Sequence, residues 1–262
     1  MKKLIVVKIG GSTLGSNDTT LEDLVALQQE GRTAVVVHGG GDVITQWLSR
    51  QGISTKFEKG LRVTDHETLE VVVAVLAGVV NKELVSAIQS LGGRAVGLSG
   101  IDGGFIEARM KDAELGYVGE VVKINPEPIE AILQGGYMPI VAPLALEAKG
   151  EKGEKLNVNA DTAAGEIAAA LGVERLIFLT DVPGILDSSG KSLPRLSADE
   201  AGSLMSSGVV SGGMIPKVEA CLRALSTVAV TQIVDGREAH ALLKAMAGKG
   251  SGTSIVLTGR GE

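Results

Sequence analysis

Lys3-Leu4-Ile5-Val6-Val7-Lys8-Ile9-Gly10-Gly11-Ser12 opens the chain, and Thr33-Ala34-Val35-Val36-Val37-His38-Gly39-Gly40-Gly41 repeats its pattern. Each is a run of β-branched and aliphatic residues with little alternation, as in a strand buried on both faces. Each stops on glycines, which let the backbone approach a ligand closely and adopt positive φ. Between them, Thr19 and Glu22 have capping-box spacing, and a helix to about Glu30 puts Leu21, Leu24 and Val25 on one face with Leu27 beside them. Asp42 to Arg50 reads as a second helix. Two strand–glycine–helix units in succession predict an α/β protein, with an open, mostly parallel sheet covered by helices.

The rest of the chain continues this rhythm with interruptions. Lys56 to Thr64 is polar and contains Gly60, which predicts a hairpin or a ligand-facing loop. Thr64-Asp65-His66-Glu67 has capping-box spacing before a long helical pattern through about Leu91. Strands are expected over 94–98, 137–142, 176–180, 227–234 and 253–257. Gly103 to Lys123 reads as a β-hairpin excursion, and the polar stretch from Glu147 to Lys155 as a second hairpin and a soft boundary between two lobes, about 1–155 and 156–262. Helices are expected from Asn125-Pro126, over Ala160–Leu171, from Ser197 with Glu200 as its capping-box partner, from Met214 to Ser226, and over Ala239–Ala247.

Composition narrows the function. The chain has 262 residues with 44% hydrophobic but only 2% aromatic residues, so its core is aliphatic. The net charge of −6 and the scarcity of aromatics argue against a nucleic-acid surface. The single cysteine, Cys221, forms no internal disulfide and fits a reducing cytoplasm. The apolar run after Lys2 and Lys3 is too short for a signal segment, and no apolar segment reaches membrane-spanning length without polar interruption.

Neither a G-x-x-x-x-G-K-[ST] loop nor a G-x-G-x-x-G fingerprint is present, so a nucleotide site would be of another kind. Lys8 with Gly10 and Gly11 closes the first strand, and His38 with Gly39–Gly41 closes the second. Gly212-Gly213-Met214-Ile215-Pro216-Lys217 leads into a helix. In an open parallel sheet, the C-terminal strand ends and the helix N-termini face one crevice. Two lysines and several glycine amides there suit a phosphoryl group in transfer, a reaction that needs positioning and charge stabilisation. Asp161 stands at a helix start, either as an N-cap or as an acceptor orienting two lysines or a metal. Arg62, on a polar loop, is either a surface arginine or a fork for a substrate carboxylate. His38 is either a general base or, as its place at a strand end favours, a structural hydrogen-bonding group; phosphorylating a carboxylate needs no base, because that nucleophile is already ionised.

The sequence resembles the amino-acid kinase family over essentially its whole length. The likeness rests on Lys8-Ile-Gly-Gly-Ser, His38-Gly-Gly-Gly, Gly60-Leu-Arg-Val-Thr, Gly97-Leu-Ser-Gly, Asn157-Val-Asn-Ala-Asp-Thr-Ala-Ala-Gly, Leu179-Thr-Asp-Val-Pro-Gly-Ile-Leu and Gly212-Gly-Met-Ile-Pro-Lys-Val. The resemblance implies a three-layer α/β/α fold and ATP-dependent phosphorylation of the side-chain carboxylate of N-acetyl-L-glutamate, the second step of arginine biosynthesis. It implies that Lys8 and Lys217 stabilise the transferring group and that Asp161 holds them. By the same likeness Gly40, Gly41, Arg62, Asn157 and Asn159 bind substrate. Gly10, Gly11, Asp181, Val182, Gly184, Ile185, Leu186, Val209, Val210 and Ser211 surround ATP. Magnesium accompanies ATP, held largely by phosphate and water. The N-terminal lobe would take the amino-acid substrate and the C-terminal lobe ATP.

Arginine-inhibited members of the family carry an extra helix before the first strand. Here the strand begins at residue 3, which predicts a homodimer that arginine does not inhibit. Two alternatives remain at this stage. One is a kinase for carrier-protein-linked aminoadipate or glutamate, which would want a basic rim; Lys56, Lys59 and Arg62 are offset by Glu58 and Asp65. The other is a non-catalytic amino-acid or nucleotide sensor, for which loss of one lysine would be the sign.

Overall fold

The computed structural model describes residues 4–10, 19–58, 60–148 and 153–257. The first elements are strand β1 (Leu4–Ile9), helix α1 (Thr20–Gln29), β2 (Thr33–His38) and α2 (Gly41–Arg50). Two short strands, β3 (Phe57–Glu58) and β4 (Leu61–Arg62), form the expected hairpin. Helix α3 (His66–Val73) runs through a π-helical stretch, Ala74–Val80, into α4 (Asn81–Ser90). Next come β5 (Ala95–Ser99), β6 (Ile106–Met110), β7 (Val118–Ile124), α5 (Glu127–Gln134), β8 (Met138–Ala142), β9 (Leu144–Glu147) and β10 (Lys155–Val158). The remainder is α6 (Ala160–Leu171), β11 (Arg175–Thr180), β12 (Arg195–Ser197), α7 (Ala198–Ser206), α8 (Met214–Ala224), β13 (Val230–Asp235), α9 (Ala241–Met246) and β14 (Thr253–Val256).

Eight strands make one sheet in the order β12-β14-β13-β11-β1-β2-β8-β5. All neighbours are parallel except β13 and β14. Strand β1 lies inside the sheet, paired with β2 on one side and β11 on the other. Its six residues are all buried, which is why they read as one apolar run. Leu4 and Val6 join one core with α5, α6, α7 and α8, while Ile5, Val7 and Ile9 join another with α1, α2, α3, α4 and α9. The result is the three-layer α/β/α arrangement. With β2 and β11 leaving in opposite directions, the C-terminal end of β1 is the switch point where such sheets bind ligands.

Helix α6 begins and ends where the sequence predicts, and its packing explains its alanines. A Cβ on Gly165 would lie 2.9 Å from Ala220 Cβ and 3.0 Å from the Ala220 carbonyl. Small residues on both helices thus let α6 and α8 approach closely. That approach brings the first turns of the two helices together.

Several local expectations change. The Thr19 side chain does not cap α1; its hydroxyl accepts from the His240 N–H at 2.6 Å. Helix α3 is capped one residue later than expected, by Asp65 accepting from the Thr68 N–H at 2.8 Å. The capping box of Ser197 and Glu200 forms as predicted. The two predicted hairpins do not stand apart, for β10-β7-β6-β9 closes into a small barrel of its own. The helix His66–Ser90 is long and apolar enough by length and composition to cross a membrane. Asn81, Lys82 and Glu83 interrupt that run, and Val71, Val72, Val75 and Leu76 are buried in the core.

Candidate active site

Asn159-Ala160-Asp161 offers two acidic or amide side chains for the start of α6. The cap is Asn159, whose Oδ1 accepts from the N–H groups of Asp161 at 2.9 Å and Thr162 at 3.0 Å. Asp161 is thereby free of capping and turns to the two lysines. Its Oδ1 lies 2.7 Å from Lys8 Nζ, and its Oδ2 accepts from Lys217 Nζ at 3.0 Å. The contact with Lys8 is a buried ion pair. Lys217 also donates to the Gly213 carbonyl at 3.2 Å.

Lys8 comes from the end of β1 and Lys217 from the first turns of α8. Burial alone would push the Asp161 carboxyl up, but the two ammonium groups outweigh it and hold its pKa below the usual value. The triad therefore carries one net positive charge. Each ammonium has three N–H donors, so both keep donors for an incoming anion.

Beside the triad is a cavity of about 140 Å³. Gly40, Gly41, Arg62, Asn157 and Asn159, the five residues expected to bind substrate, all line it. Its apolar wall includes Ile44, Phe57, Leu61, Leu76 and Val118. Arg62 is buried and anchored on one edge. It donates to the Gly41 carbonyl at 2.9 Å, to Thr45 Oγ1 at 2.8 Å and to Thr55 Oγ1 at 3.3 Å. Its guanidinium carbon lies 4.8 Å from the Phe57 ring centroid. Burial lowers its pKa and Asp42 opposes the change; an arginine stays charged under such shifts. Asn157 donates to Thr64 Oγ1 at 3.1 Å, and Thr64 donates to the Arg62 carbonyl at 2.8 Å. This chain ties β10 to β4.

The model of the amino acid kinase family matches residues 3–234. The chain belongs to the amino acid kinase family. An acetylglutamate kinase of Dehalococcoides mccartyi is 44% identical over 256 residues, which cover 97% of this chain and 94% of that protein. The acetylglutamate kinase of Synechococcus elongatus is 46% identical, with 99% and 88% covered. The crystal structure of smu.665 from Streptococcus mutans is 31% identical, with a TM-score of 0.83 and 98% and 99% of the two chains covered.

In this family member, the segments expected around ATP sit beyond the ends of β11 and α7. Ile185 and Val210 are buried in the core, so only their backbone can face a ligand. Asp181, Leu186 and Ser211 are exposed, and Val182 and Val209 are half-buried. Gly184, at φ +113°, packs against Thr253, whose hydroxyl accepts from the Ile185 N–H at 2.8 Å. Gly10 gives its N–H to the Leu179 carbonyl at 3.4 Å. Gly11 lies outside the described residues. Among the described residues, no three His, Cys, Asp or Glu side chains converge to hold a metal.

Sequence reasoning passed over Thr45, Thr55, Phe57 and Thr64, which together hold Arg62 in place. Thr45 had a signal, since it stands four residues after Gly41 on the same helix face. The other three depend on the folding of the β3–β4 hairpin.

Proposed function

We propose that this chain transfers the γ-phosphoryl group of ATP to the side-chain carboxylate of N-acetyl-L-glutamate, the second step of arginine biosynthesis. The observation that carries this reading is the single carboxylate, Asp161, holding two ammonium groups at 2.7 and 3.0 Å beside a cavity floored by Arg62. Arg62 takes the substrate α-carboxylate, with Asn157 and Asn159 alongside. The reacting carboxylate is ionised at neutral pH and attacks the γ-phosphorus without a base. Lys8 and Lys217 stabilise charge on the transferring group, and the amides of Gly40 and Gly41 add donors on the substrate side. ADP leaves over Gly10, Gly11 and the segments Asp181–Leu186 and Val209–Ser211. Magnesium would come with ATP and help neutralise charge on its phosphates; among the described residues no cluster of acidic side chains would hold it by itself.

On this reading the half of the sheet from β1 to β5 serves the amino-acid substrate and the half from β11 to β14 serves the nucleotide. The protein works as a homodimer in the cytoplasm, where ATP is available. The small apolar face of the long helix supports pairing of two copies: Ala74 and Gly78 are exposed, and Val73, Ala77 and Val85 are half-buried. The test is a coupled assay of ADP release with N-acetyl-L-glutamate, glutamate, aminoadipate and a carrier-protein-linked aminoadipate. Turnover is expected with the first; turnover with only the carrier-linked substrate, or with none, would overturn the reading.

A further inference from the structure

Behind the cavity, on the far side of Gly39–Gly41, a buried polar network has no part in the reaction as described. Asn81 follows the π-helical stretch and is fully buried. Its Nδ2 donates to the Ile140 carbonyl at 2.8 Å, and its Oδ1 accepts from Lys82 Nζ at 2.9 Å. A carbonyl demands the amide nitrogen and an ammonium demands the amide oxygen, so these partners fix the orientation of the Asn81 amide. The second Nδ2 hydrogen faces His38 Nε2 at 3.1 Å, nearer than its other acceptor, the Leu98 carbonyl at 3.5 Å. Nε2 must then accept, and the imidazole carries its proton on Nδ1. That Nδ1–H donates to the Gly39 carbonyl at 2.8 Å.

The fit is close on every side. A Cβ on Gly97 would stand 1.9 Å from Asn81 Oδ1, which explains the glycine that opens Gly97-Leu98-Ser99-Gly100. A Cβ on Gly40 would stand 2.8 Å from Leu76 Cδ2, on the π-helical stretch. Burial takes the His38 pKa down to about 4, against a smaller upward pull from the Gly39 carbonyl. The ring is therefore neutral at working pH, and both nitrogens are occupied. His38 is not among the residues lining the cavity.

In a planar trans peptide, the carbonyl and the N–H point in opposite directions. A Gly39 carbonyl held toward His38 sends the Gly40 N–H the other way. Gly39 gives its own N–H to the Ile9 carbonyl at 3.0 Å, whereas the Gly40 N–H has no acceptor among the described residues. Gly40 lines the cavity. We infer that His38 and Asn81 are a positioning pair: Asn81 fixes the Nδ1–H tautomer of His38, and that N–H aims the Gly40 amide at the reacting carboxylate and its incoming phosphoryl group. The inference rests on the phosphoryl-transfer reading given above.

The test uses two isosteres. Asparagine can place its amide N–H where histidine carries Nδ1–H, and glutamine can place its amide oxygen, an acceptor, where histidine carries Nε2. H38N keeps the donor to Gly39 and H38Q loses it, while each sacrifices one hydrogen bond. Removing one such donor typically costs about 10²–10³ in kcat. Expected results are a kcat for H38Q lowered about 100-fold with the KM for ATP unchanged, a kcat for H38N within about five-fold of the parent, and similar melting temperatures for both. Equal losses in both variants would overturn the proposal: with lowered melting temperatures they mean a structural role, with unchanged ones a need for the imidazole itself. The unmutated protein gives an independent check, since it has only three histidines. Long-range ¹H–¹⁵N spectra should show a protonated Nδ1 and a pyridine-type Nε2 for His38, and the opposite pattern would overturn the proposal without any variant. A parent enzyme without turnover on N-acetyl-L-glutamate would sink the kinase reading instead, leaving the spectra to judge the tautomer.

Discussion

Replacing Asp161 by asparagine keeps the shape of the site and removes one charge. Unit charges at 2.7 and 3.0 Å attract by about 6 and about 5.5 kcal/mol at an effective dielectric of about 20. Desolvation offsets much of that, and cutting one partner from a buried ion pair costs about 3–5 kcal/mol net. The asparagine oxygen can serve one ammonium, but its N–H groups face the other. The apo protein should therefore lose about 3–5 kcal/mol, a fall in Tm of roughly 10 °C for a chain of this size. With the lysines no longer aligned, kcat should fall about 10²–10³-fold, a loss of about 2.7–4 kcal/mol of transition-state stabilisation. Bound ATP brings phosphate oxygens to the same two ammonium groups. Saturating ATP should thus raise the Tm of D161N more than that of the parent. Initial rates of ADP formation and melting curves with and without ATP measure all three effects. An unchanged kcat together with equal ATP-induced gains in Tm would refute the assignment.

Further outcomes follow from other groups. Lys217→Ala should lower kcat about 10²–10³-fold and change either KM far less; a pure KM effect in steady-state kinetics would contradict its transition-state role. Arg62→Lys, which loses the fork, should raise the KM for the amino-acid substrate about 10–100-fold with kcat nearly kept, and the reverse split would count against carboxylate binding. His38 titrates at about 4 in the folded chain against 6.5 when free. The unfolded state binds the proton first, so stability should drop as pH falls from 6.5 to 4, by about 3 kcal/mol in total. Urea titrations across that range would show the slope, and H38N should flatten it. Below about pH 4 the Asp161 carboxylate, whose pKa is lowered, adds a further loss.

The sheet was legible because buried parallel strands declare themselves in apolar runs, as in β1, β2 and β11. Helix α6 was legible because alanine-rich packing leaves a periodic pattern. What stayed hidden depends on partners far away in sequence. The Thr19 hydroxyl looked like a cap, but the backbone of His240 takes it instead. Asn159 and Asp161 are both good caps by type, and only the presence of two lysines shows why the asparagine does that work. The closed β10-β7-β6-β9 arrangement joins two hairpins that α5 and β8 separate in sequence, which no local pattern records. Strand β12 has three residues, too few for any periodicity. The lysines, Asp161 and Arg62 could be singled out as candidates, whereas the threonines and Phe57 that fix Arg62 needed the folded hairpin.

The two lysines stand on supports of unequal stiffness. Lys8 belongs to an inner strand hydrogen-bonded along both edges, so it moves only if the sheet itself parts. Lys217 rides on a helix entered through the exposed residues Ser211, Gly212 and Gly213. Segments with solvent-exposed backbone open first under denaturant. Catalysis should therefore fail ahead of the fold: as denaturant rises, kcat declines while the far-ultraviolet signal of the sheet and outer helices persists, and the gap between the two midpoints measures how loosely the second lysine is moored.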